Sequence, residues 1–142
     1  MNQRFIIGGI LSFYGACFSG TFAAETSKPH LLDAESARLA GPTAIDCGHV
    51  PVHSDAKPAN NCVRSALLQR QPFRVRYDQA GIDSEVAYSL VRTPKGKVLE
   101  IHYDSDPSGG SRRGEFIAAK DCPKPTKLVV SQSGTLTCFS PR

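Results

Sequence analysis

Residues 73–78, FRVRYD, and 86–104, VAYSLVRTPKGKVLEIHYD, carry the pattern on which the fold turns. In the first, Phe73, Val75 and Tyr77 alternate with Arg74, Arg76 and Asp78. That is the two-residue period of a strand with one apolar and one wet face. In the second, Thr93-Pro94-Lys95-Gly96 reads as the connection between two further strands. With Arg92 opposite Lys97, Leu90 meets Leu99, Tyr88 meets Ile101 and Val86 meets Tyr103, so all six fall on one face. A slip by one residue would set Glu100 against Leu90 and scatter the apolar set, so the pattern favours the first register. Arg74, Arg76, Ser89, Glu100 and His102 then gather on the outer face of the sheet.

On the N-terminal side of these strands the period is helical. Ala59, Cys62, Val63, Ala66 and Leu67 recur at i, i+3, i+4, i+7 and i+8, with Asn60, Asn61, Arg64, Ser65 and Arg70 on the other side. Ser54 or Asp55 can cap this helix, Pro58 is tolerated in its first turn, and Pro72 ends it. The stretch before it, 45–54, is biased toward extended structure by Pro51 and carries Cys47. Residues 24–44 have only Leu31, Leu32 and Leu39 as sizeable apolar side chains and read as a flexible tether, with one short helix over 31–40 stopped by Gly41-Pro42.

Residues 1–23 have the layout of a secretory signal, with a positive charge at Arg4, an uncharged apolar stretch and small residues at the end. Cleavage after Ala23 leaves Thr21 and Ala23 at the two small-residue positions. The rival is a lipoprotein signal, since Tyr14-Gly15-Ala16-Cys17 loosely resembles a lipobox. Either way Cys17 leaves the pairing problem, and Cys47, Cys62, Cys122 and Cys138 form an even set in an oxidising compartment. Three connectivities exist. Cys47–Cys62 with Cys122–Cys138 is preferred because each pair closes a short loop, stabilising by about 3 kcal/mol on the chain-entropy account. No C-x2-C spacing suggests zinc.

Beyond the hairpin, 105–113 is a Gly/Ser-rich charged loop, 115–120 a further strand, and 127–132 with 135–139 a closing hairpin around Ser133-Gly134. The expected fold class is α+β, with one amphipathic helix packed on an antiparallel sheet of five to six strands and two disulfides, over a single domain at 45–142. This layout is similar to the cystatin-like roll. The similarity is one of arrangement and carries no function.

The loop DSDPSGGSRRGE, 104–115, matches the EF-hand formula at Asp104, Asp106, Ser108, Gly109 and Glu115. A strand precedes it where a helix is required, and Arg112 and Arg113 add positive charge, so a solvated turn is the plainer reading and a calcium loop the alternative. His49 and His53 are four apart, but an extended chain through Pro51 separates them by about 13 Å. His30 lies in the tether. His102 and Glu100 share one strand face as a conceivable acid/base pair, without any sign of a substrate pocket. There is no G-x-S-x-G, no H-E-x-x-H and no unpaired mature cysteine.

The net charge of +4 falls to +3 without Arg4, and the mature chain has no Trp and no dense basic run, so nucleic acid is not an expected partner. These readings lead to an exported, non-catalytic binding protein of the bacterial periplasm or exterior, an adaptor, inhibitor or immunity-like protein. It would need no cofactor and would use Arg74, Arg76, Glu100 and His102 toward an envelope or extracellular protein. The alternatives are a structural envelope lipoprotein held by Cys17, a small periplasmic enzyme, or a calcium-binding domain.

Overall fold

The connection from residue 45 to residue 79 sets the topology. Strand β1 (Ile45–Val50) leads into helix α2 (Lys57–Leu68), which returns the chain to β2 (Phe73–Gln79). A helix between two neighbouring strands carries the chain back to its starting end, so β1 and β2 pair in parallel, from Ile45 opposite Phe73 to Val50 opposite Tyr77. The structure is a computed structural model and describes residues 30–109 and 114–139. The signal, Cys17, the start of the tether, and Arg112 and Arg113 lie outside the described residues.

The remaining elements are α1 (Leu31–Ala40), β3 (Val86–Arg92), β4 (Val98–Asp104), β5 (Phe116–Asp121) and a short pair, β6 (Val129–Val130) with β7 (Leu136–Thr137). One sheet runs β1-β2-β3-β4-β5, and β6 and β7 form a second, two-stranded sheet. The main sheet is therefore mixed, because the β1–α2–β2 crossover imposes a parallel pair that the expectation of an all-antiparallel sheet overlooked.

Helix α2 begins with a proline in its first turn, and Asp55 Oδ1 accepts from the Lys57 N–H at 3.0 Å. Its buried residues Ala59, Val63 and Ala66 pack on Phe73, Val75, Tyr77, Tyr88 and Leu90. The hairpin β6–β7 covers the rest of that face through Leu136. The opposite face is covered too. Leu32 and Ala40 of α1 pack on Ala87, Val91, Ile101 and Tyr103, with Leu39, Ala44 and Ile117 around them. The short helix placed in a tether is thus the third layer of an α/β/α stack.

That third layer changes the register of β3 and β4. Leu90 stands opposite Glu100, Tyr88 opposite His102 and Val91 opposite Leu99, one residue from the expected alignment. The turn enforces it. Gly96 has φ +81° and donates to the Thr93 carbonyl at 2.9 Å, while Thr93 N–H donates to the Lys97 carbonyl at 2.8 Å. Pro94-Lys95-Gly96 is therefore a three-residue connection with its glycine in the left-handed region, and it pairs Arg92 with Val98. The other register suits a sheet with one wet face. With both faces covered, Ala87, Val91, Ile101 and Leu99 are buried beneath α1 and its surroundings while Tyr88, Leu90 and Val98 are buried toward α2.

Both disulfides form as expected. Cys47–Cys62 spans 15 residues and ties β1 to α2; Cys122–Cys138 spans 16 and ties the end of β5 to the C-terminal hairpin. Buried polar groups fix that hairpin further. The Tyr88 hydroxyl lies 2.7 Å from Thr135 Oγ1 and 2.9 Å from the Leu136 carbonyl, and burial raises its pKa to about 12. Tyr77 donates to Asn60 Oδ1 at 2.8 Å, and Asn60 Nδ2 donates to the Gly134 carbonyl at 2.8 Å.

Candidate functional site

The two-faced sheet separates the four residues that the sequence grouped. Arg74 and Arg76 pair with Val91 and Ser89 and lie on the α1 face, whereas Glu100 and His102 pair with Leu90 and Tyr88 and lie on the α2 face. The expected single outer face does not exist, because the register of β4 is displaced by one residue.

Glu100 is 4% exposed. Its Oε1 lies 3.0 Å from His102 Nε2, and its Oε2 accepts from Thr137 Oγ1 at 2.8 Å and Cys138 N–H at 3.1 Å. Burial pushes the carboxyl up, but the hydrogen bonds from His102, Thr137 and Cys138 outweigh it and hold the group below its ordinary value. His102 stacks on Tyr88. Oε2 thus ties Thr137 and Cys138 to β4 while Oε1 is bonded to His102 of the same strand, so the pair serves the fold.

The candidate calcium loop lies between strands β4 and β5. Asp104 Oδ1 accepts from Asp106 N–H at 2.9 Å, Tyr103 donates to Glu115 Oε1 at 2.9 Å, and Ser108 is exposed. Among the described residues, no group of three or more His, Cys, Asp or Glu side chains is placed to hold a metal ion.

A cleft of about 270 Å³ opens instead between α1 and β1, floored by β2 and β3. Its construction depends on a bulge. Asp46 stands opposite Arg74 and His49 opposite Arg76, so three steps on β1 match two on β2. The extra residue turns Asp46 and His49 to the same side. Gly48, at φ +90°, takes the conformation this requires, and its N–H donates to Asp46 Oδ1 at 3.0 Å. Cys47 faces the other way, into the core and its disulfide.

The bulge completes a charge network. Arg74 donates to Asp46 Oδ2 at 2.6 Å. Arg76, 8% exposed, donates to Asp78 at 2.8 Å, to Glu85 at 2.6 Å and to Asp33 of α1 at 3.1 Å. Burial works against its charge, but Asp78, Asp33 and Glu85 prevail and hold its pKa above the ordinary value. His49 Nε2 lies 2.6 Å from Asp78 Oδ2. Burial raises Asp78, yet its bonds to His49 and Arg76 hold it below the usual carboxylate range. His30, at the start of α1, accepts from Leu32 N–H through Nδ1 and lies 3.1 Å from Glu85 through Nε2.

Ser36 and Ser89 also line the cleft, and neither hydroxyl has a hydrogen-bond partner among the described residues. An unsatisfied buried hydroxyl costs about 1–3 kcal/mol. The His49–Asp78 pair has the acid-beside-imidazole relation of a catalytic triad, and among the described residues neither serine is hydrogen-bonded to His49.

Of this cleft, the sequence reading had Arg74, Arg76 and Ser89. It missed Asp33, Ser36 and Asp46, and it weighed His49 only together with His53. The one available signal was Gly48 within the strand 45–50, since a glycine inside a strand marks a bulge. No protein family, curated protein or solved structure matches the chain.

Proposed function

We propose that the chain is an exported, non-catalytic binding protein that acts in the bacterial periplasm or exterior and recognises its partner at the α1/β1 cleft. The two disulfides are consistent with an oxidising, extracytoplasmic location, and among the described residues no helix is long and apolar enough to cross a membrane. The observation that carries the binding reading is the state of the cleft's titratable groups. Arg74 and Arg76 are ion-paired with their carboxylates and His49 is bonded to Asp78, which fixes a charged surface in place, and among the described residues none of these groups is hydrogen-bonded to the cleft's serine hydroxyls. Such preorganised charge supports recognition and favours specificity over raw affinity.

The test is capture from an envelope or secreted extract, with three baits compared. Arg74 and Asp46 are both partly exposed, so Arg74→Ala and Asp46→Ala should keep the fold and its melting temperature. Arg76 is unsuited to the purpose, because its removal would leave Asp33, Asp78 and Glu85 facing one another at the core edge. A partner held by the wild type and lost by both variants is the expected result. Equal capture by all three baits would remove the cleft from the reading.

A further inference from the structure

The cleft contains two residues that the fold alone would not select. Ser36 occupies the buried stripe of α1 between Leu32 and Ala40, and Ser89 lies on β3 between Ala87 and Val91, positions where alanine would fill the space without an unpaired hydroxyl. They are 3% and 0% exposed, and neither Oγ has a partner among the described residues. Buried hydroxyls in native proteins are nearly always satisfied. Two orphans lining the same cleft therefore point to an occupant.

The charge around them selects its sign. Two guanidinium groups, Arg74 and Arg76, are bonded to four carboxylates, Asp33, Asp46, Asp78 and Glu85. Counted over these two arginines and four carboxylates, the network carries an excess of negative charge. An anion would have to displace one of these carboxylates from arginine and then sit beside the others. A cation meets the excess directly. The volume of about 270 Å³ lies below the ~300–1,000 Å³ typical of drug-sized ligands, and so suits one side chain or a small molecule.

We propose that the cleft binds an alkylammonium group, on a small amine or on a lysine side chain of a protein partner, with the Ser36 and Ser89 hydroxyls and the Asp33 or Asp46 carboxylate accepting its three N–H bonds. An ammonium supplies three donors and no acceptor, which matches two orphan hydroxyl oxygens beside a partly exposed carboxylate. This assignment rests on the binding reading above and names the chemistry it would recognise.

Titration of the purified chain with n-butylammonium and with Nα-acetyl-lysine methylamide, followed by amide NMR shifts, tests it. Nα-acetyl-norleucine methylamide and inorganic phosphate serve as neutral and anionic probes. The expected result is saturable shifts at residues 33–36, 46–49 and 89 with both ammonium probes and none with the other two. Tighter binding of the lysine analogue would identify a lysine side chain as the source, and equal binding a small amine. Ser36→Ala with Ser89→Ala should weaken binding by at least about tenfold, while leaving the melting temperature of the free protein unchanged or higher. A fall in that temperature would mean the hydroxyls hold the fold, and would overturn the proposal. So would saturable binding of phosphate or the norleucine analogue in place of the ammonium probes. If neither ammonium probe binds while capture through the cleft still depends on Arg74 and Asp46, the ammonium assignment fails and the binding reading stands; if the probes bind but capture ignores the cleft, the reverse holds.

Discussion

Glu100 shows how one side chain can fix a tertiary contact through its charge. Its carboxylate satisfies the Thr137 hydroxyl and the Cys138 N–H and pairs with His102, so Glu100→Ala would leave two donors at the end of the C-terminal hairpin without this acceptor. The expected loss is about 1–3 kcal/mol in denaturant unfolding at neutral pH. The pH dependence follows from the depressed pKa. Glu100 binds its proton less readily in the folded than in the unfolded chain, so its contribution is present above the unfolded value of 4.5 and is lost as pH falls through the lower folded value. The stability difference between wild type and Glu100→Ala should therefore shrink on acidification below about pH 5; a difference that stays constant would place the stabilisation in packing instead. At this scale the sequence misleads for a definite reason. Leu90 opposite Leu99 is the better pair for a sheet with one dry face, and nothing local to residues 86–104 reveals that α1 dries the other.

Among the elements, α1 has the greatest effect on the fold for the weakest signal. Only Leu32, Ser36 and Ala40 form its buried stripe, and two of those three are small, so the helical period barely stands out from a polar segment. The bounds of the helix were legible, from Leu31 to the stop at Gly41, but its docking was not, because docking depends on a sheet face that periodicity had assigned to water. Leu32 is fully buried against that face. Leu32→Ala should cost about 2–5 kcal/mol, with a lower denaturation midpoint as the readout; a change below 1 kcal/mol on the scale of surface substitutions would mean α1 is peripheral. By contrast, α2 and its cysteine were readable from the sequence alone. Its stripe includes Ala59, Val63 and Ala66, its first turn holds the proline, and Cys62 points to the strand that precedes it.

For the whole molecule, local closure explains what was legible. Both disulfides join segments fewer than twenty residues apart, and on the chain-entropy account such loops stabilise by about 3 kcal/mol each. Reduction should accordingly lower the melting temperature by well over the few degrees of a typical single substitution, as followed by circular dichroism with and without dithiothreitol. The long-range features were the ones missed, namely the α1 layer and the parallel β1–β2 pair, since each requires contacts between parts of the chain that no short window contains. The pairing of the cysteines also divides the chain into two closed rings, 47–62 and 122–138, joined by a segment with no covalent bypass. A protease that nicks the backbone inside either ring would add one water to the intact mass and release nothing until the sulfurs are reduced. A cut between 63 and 121 would leave two pieces held together only by non-covalent contacts, and they would part on a denaturing gel run without any reductant.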